Sequence, residues 1–145
     1  MIALDTNVLI RYLTEDDPLQ ARAANEVLDH LSPEEPGWIS LVVLAEMVWS
    51  LRKTYKLSKD QIIRILDDLV VSKDIVIEDI QKVQRALILH RACRAGFADC
   101  LLVLSAESAG CDKVVTFDRI AARDLGMELL GSPVTQDPST PFQPG

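Results

Sequence analysis

Short apolar runs alternate along the chain with stretches in which apolar residues return every three or four positions, the signature of strands alternating with helices. Ile2-Ala3-Leu4 is an apolar run that ends at Asp5, and Val8, Leu9, Tyr12 and Leu13 then recur at helical spacing. Asp17-Pro18 opens a second helix, with proline at its first position and Ala21, Ala24, Leu28 and Leu31 on one face. Pro33 and Pro36-Gly37 end it. Trp38-Ile39 predicts a second strand, and Ser40 caps a helix running through Arg52. Ser58-Lys59-Asp60-Gln61 reads as a capping box for a helix whose inner face is Ile62, Ile65, Leu66 and Leu69.

Asp74-Ile75-Val76-Ile77 predicts a third strand. Two helices follow, Ile80 to Arg94 and Phe97 to Ala109, broken near Gly96 and stopped by Gly110. Lys113 to Phe117, β-branched and apolar, is the clearest strand; a helix from Arg119 to Leu125 and a strand from Met127 to Leu130 complete the core. This alternation predicts an α/β fold, with a central, mostly parallel sheet of about five short strands flanked by helices. The domain spans residues 1–130. From Gly131 to Gly145, Pro133, Pro138, Pro141 and Pro144 interrupt a stretch without apolar periodicity, which predicts a mobile tail or a docking arm.

The length of 145 residues suits one domain able to bury roughly 70% of its unfolded surface. No apolar run approaches the roughly 20 residues needed to span a bilayer, and no basic segment precedes the first apolar stretch, so a cytoplasmic protein is expected. Cys93, Cys100 and Cys111 are odd in number and lack CxxC spacing, which favours reduced thiols over a disulfide framework or a zinc site. The net charge of −7 changes the picture more. It leaves no broad basic surface for nucleic acid, so a phosphate substrate would need metal ions to supply positive charge.

Candidate chemistry gathers on acids. Asp5 follows the first strand and Asp118 the fourth, and in an open parallel sheet ligands bind outside the carboxyl ends of the strands. Each could instead be a helix N-cap. Glu46 lies on a helix reading Leu41-Val42-Val43-Leu44-Ala45-Glu46-Met47-Val48-Trp49, apolar nearly all round and hence expected to be buried. Its neighbours one turn away are Val42, Val43, Trp49 and Ser50, none of them a cation; the alternative is an arginine from elsewhere. Asp99 likewise lacks a local cation, its neighbours being Ala95, Gly96, Leu102 and Val103, although a place near a helix N-terminus would also favour it. Four clustered carboxylates repel unless hard divalent cations such as Mg²⁺ bind among them. Thr6, Asn7, Ser40 and Thr116 place small polar groups beside these acids.

The segments Leu4-Asp5-Thr6-Asn7, Leu44-Ala45-Glu46, Phe97-Ala98-Asp99 and Thr116-Phe117-Asp118-Arg119 together resemble, in order and spacing, the PIN-domain nucleases. The size resembles the VapC-type toxins of bacterial and archaeal toxin–antitoxin pairs. The resemblance covers roughly residues 1–130. It implies a metal-dependent endoribonuclease in which Asp5, Glu46 and Asp99 hold Mg²⁺ (with Mn²⁺ as substitute), Asp118 is the more peripheral fourth acid, and Thr6 and Thr116 supply hydroxyls beside the metal. It also implies a parallel sheet with the first strand central, an RNA substrate, a cognate antitoxin and a homodimer, with Leu9 and Leu13 of the first helix as exposed contact positions.

Rival chemistries fit less well. A haloacid-dehalogenase-type phosphatase needs an aspartate where this chain has Asn7, and a receiver domain needs an acceptor aspartate ending a middle strand. The remaining rival is a catalytically silent PIN-like interaction module. His30 and His90 read as surface or packing residues, Trp38 and Trp49 as core. Arg52, Lys53, Lys56 and Lys59 around Tyr55 read as a solvated helix end, with contact to RNA backbone as the alternative.

Overall fold

The structure, a computed structural model, describes residues 1–131. Its order is β1 (Ile2–Ala3), α1 (Thr6–Thr14), α2 (Pro18–Asp29), β2 (Gly37–Ile39), α3 (Leu41–Lys53), α4 (Lys59–Val71), β3 (Ile75–Ile77), α5 (Ile80–Ala92), α6 (Phe97–Ser108), β4 (Val115–Thr116), α7 (Arg119–Leu125) and β5 (Glu128–Leu129). The expected proline-rich tail lies outside the described residues apart from Gly131. No helix is long and apolar enough to cross a membrane, among the described residues.

All strand pairings are parallel, as the strand–helix alternation requires. Among the described residues the five strands form two ladders, β1-β2-β3 and β4-β5, rather than one continuous sheet. Within the larger ladder β2 is central and β1 pairs on one side alone, so the expectation of a central first strand does not hold. The apolar run from Lys113 to Phe117 pairs over only Val115–Thr116, and both Val115 and Phe117 are exposed. Where its side chains stay exposed, β-branched composition alone does not lengthen a strand.

Helix starts follow local chemistry. Ser40 Oγ accepts from the Val43 amide at 3.1 Å, and Ser58 and Gln61 form the reciprocal capping box. Asp17 accepts from the Gln20 amide ahead of Pro18. Gly126 ends α7 at φ 70°, a conformation that costs glycine nothing. Helix α5 stops at Ala92, two residues short of the expected end, because Cys93 is extended.

The core lies between the three-stranded sheet and α3, α5 and α6. Ile39, Leu44, Met47, Leu51, Val83 and Phe97 are essentially inaccessible. Leu9, expected as an exposed contact, is buried there with Ile10, because α1 turns its Thr6–Leu9–Ile10 face inward; Tyr12 and Leu13 stay at the surface. Trp38 is half-buried and Trp49 is 63% exposed, so the tryptophans are not the expected core pair. His90 is a packing residue. Its Nδ1 lies 3.0 Å from the Ala95 carbonyl, its ring meets Phe97 edge-on at 5.9 Å, and burial holds its pKa below the ordinary histidine value.

Candidate active site

Parallel pairing puts the carboxyl ends of β1, β2 and β3 along one edge, and the residues that leave that edge are polar: Asp5, Ser40 and Glu78. Asp5 is the N-cap residue of α1, yet its side chain makes no cap hydrogen bond and is exposed. Capping therefore does not account for it. The next residue, Thr6, is buried and donates from its hydroxyl to Glu46 Oε2 at 2.8 Å. That bond joins the start of α1, next to Asp5 in the chain, to Glu46 on α3.

Glu46 itself is exposed, which overturns the expectation of a carboxylate on a buried helix. Helix α3 buries Leu44, Met47, Val48 and Leu51 and turns Val42, Glu46 and Trp49 outward. Apolar composition misled because two large apolar residues of this helix face solvent.

The other two acids are Asp99 and Asp118. Asp99 stands in the first turn of α6, where burial raises its pKa, the Asp118 charge raises it further, and a hydrogen bond from the Gly96 backbone pulls the other way. Asp118 follows β4 and does cap α7: its Oδ1 accepts from the amides of Ile120 (2.8 Å) and Ala121 (3.0 Å). Thr116 Oγ1 accepts from the Asp118 amide at 3.0 Å and so fixes the turn that presents the acid. The Arg94 amide bonds Asp124 Oδ2 at 2.8 Å, tying the α5–α6 turn to α7 and hence Asp99 to Asp118.

None of the four acids takes part in an ion pair among the described residues, although seven such pairs occur elsewhere. Their oxygen-only donor set suits a hard divalent cation. As the side chains stand, no three His, Cys, Asp or Glu groups are gathered closely enough to hold a metal ion, among the described residues. The structure thus brings Asp99 within electrostatic reach of Asp118 and ties Glu46 to Thr6, the chain neighbour of Asp5. Of the supporting residues, Thr6 and Thr116 contact or orient an acid and Ser40 caps α3, whereas Asn7 faces a cleft between α1 and α2 with Val8, Arg11 and Gln20.

Glu78 was missed in the sequence. It leaves β3 as Asp5 leaves β1, and its Oε1 accepts from the Leu41 amide at 3.3 Å, bracing the start of the helix that carries Glu46. The signal was available: an acid directly after the third apolar strand.

Residues 2–124 match the PIN domain family, which is most of the chain. The chain belongs to the PIN-domain family. It is also 25% identical over 120 residues to a VapC ribonuclease of Aquifex aeolicus (strain VF5), covering 82% of this chain and 88% of that protein. This PIN domain therefore has the α/β fold its hydrophobic pattern predicts.

The raised pKa of Asp99 gives a directional test. A carboxyl that holds its proton more tightly when folded contributes stability below its unfolded pKa, near 3.9, and loses it as pH rises through the folded value. In chelator, Asp99→Asn is therefore expected to melt above wild type at neutral pH, with the gap closing as pH falls to about 4. Thermal melts at the two pH values check this; a variant that melts lower at neutral pH would mark Asp99 as a structural acid.

Proposed function

We propose that this PIN domain is a metal-dependent endoribonuclease and the toxin of a type II toxin–antitoxin pair. The observation that carries the reading is a set of four acids outside every ion pair of the described residues, with Asp118 acting on Asp99 and Glu46 held by Thr6, the residue after Asp5. The relative named a VapC ribonuclease supports the substrate class. Asp5, Glu46 and Asp99 would hold Mg²⁺ or Mn²⁺, with Asp118 at the periphery; the bound cation would activate water and neutralise phosphodiester charge. Thr6 holds Glu46 in place, and Thr116 and Asp118 build the turn that faces Asp99.

With the net charge at −7, the carboxylates alone offer a phosphate only repulsion. Purified protein is expected to cleave RNA with Mg²⁺ or Mn²⁺, to stop in excess chelator and to recover when the cation is restored. Undiminished cleavage in chelator would falsify the metal mechanism, and absence of cleavage in either metal would favour the silent interaction module.

The same reading includes a cognate antitoxin, a homodimer and a cytoplasmic setting. An antitoxin arginine could bridge the acids bidentately in place of metal. Apolar surface for a partner exists where Tyr12 and Leu13 line a groove with Leu28, Ile65 and Leu69.

A further inference from the structure

Helix α3 carries an exposed line of four residues, Val42, Glu46, Trp49 and Lys53, spaced at successive turns on the face opposite Leu44, Met47, Val48 and Leu51. Trp49 is 63% exposed and Val42 65%. At 1.5 Å per residue, the indole stands roughly 4.5 Å along the axis from Glu46, and Lys53 roughly 6 Å beyond that. Lys53 makes no ion pair among the described residues. An acid of the candidate site, an aromatic face and a cation therefore follow one another along one helix.

We propose that Trp49 is a base-stacking subsite for single-stranded RNA, holding the nucleotide next to the scissile phosphate, with Lys53 meeting the following phosphate. This rests on the ribonuclease reading of the site. An acidic protein gains little from long-range attraction to RNA, and stacking on an aromatic face is the contact that does not depend on charge. Stacking also requires an unpaired base, because bases inside a duplex cannot splay onto a side chain. A second copy of the chain is the weaker occupant. Glu46 sits between Val42 and Trp49, and a copy covering both apolar residues would bury a carboxylate that has the Thr6 hydroxyl but no paired cation among the described residues.

The test titrates the full chain with a mixed-sequence single strand of about 12 nucleotides, and with the duplex of the same sequence, reading tryptophan fluorescence, cleavage kinetics and light scattering. The single strand should quench and the duplex should not. Trp49→Phe should remove most of the quench, leaving Trp38, while keeping KM within about threefold because a ring remains to stack. Trp49→Ala should raise KM by about 5- to 150-fold with kcat little changed. Unchanged KM in Trp49→Ala, equal quenching by duplex, or loss of a dimer on substitution would each overturn the proposal. Quenching without cleavage in either metal would sink the ribonuclease reading and leave the subsite standing; cleavage indifferent to Trp49 would sink the subsite alone.

Discussion

Asp5→Asn and Glu46→Gln are each expected to lower RNA cleavage in Mg²⁺ by roughly a hundred- to a thousandfold while the protein stays folded. The activity loss follows from charge. A metal-bound site supplies several kcal/mol of transition-state stabilisation, each 1.4 kcal/mol is about tenfold in rate, and an amide is a poor substitute for an anionic ligand. The preserved fold follows from geometry. Asp5 makes no cap bond, so neutralising it removes no support from α1. Glu46 is exposed, and an amide oxygen can still accept from the Thr6 hydroxyl. Stability changes at both positions should stay within about 0.5 kcal/mol in chelator.

Asp118→Asn is the graded control. Asparagine caps a helix about as well as aspartate, so α7 should persist and cleavage should fall less than in the other two variants. Single-turnover cleavage beside thermal melts of the same preparations makes the comparison. Full activity in Glu46→Gln would remove the helix acid from the site and leave the assignment wrong.

The parts of this molecule legible in the sequence are those that local chemistry decides. Ser40, Asp17-Pro18 and the Ser58–Gln61 box fix helix starts through bonds made within four residues, and the structure shows each of them. Which way a helix faces is decided by what packs on it. The run from Leu41 to Trp49 looked uniformly apolar, but α3 meets α1, α4 and α6 on one side only, leaving Val42, Glu46 and Trp49 in solvent. Leu9 and Leu13 lie one turn apart and looked equivalent, yet only Leu9 reaches the core. The acids were visible as residues that follow strands or lack a nearby cation. The links between them were not, because the Thr6–Glu46 bond spans 40 positions and the effect of Asp118 on Asp99 depends on the contact between α6 and α7. Capping, which served equally well for Asp5 and Asp118 in the sequence, proves true only of Asp118.

Phe97→Ala is expected to cost about 3–5 kcal/mol, a large part of the 5–15 kcal/mol typical of a single domain. Phe97 is 1% exposed, opens α6 and packs edge-on against His90. Its removal leaves a cavity in the core where α6 meets α5 and α3, elements whose other contacts limit how far they can close over it. For a chain of this length the loss should lower Tm by roughly 10–20 °C. Phe97 lies two residues before Asp99 and three after Arg94, whose amide holds α7 through Asp124. Cleavage by Phe97→Ala, assayed well below its melting point, should therefore fall too, through loss of the alignment of Asp99 with Asp118. Phe97→Leu fills most of the space and should lose about half as much stability. A melting point for Phe97→Ala within about 2 °C of wild type would show that the core closes over the missing ring. The link drawn between that ring and the position of Asp99 would then fail with it.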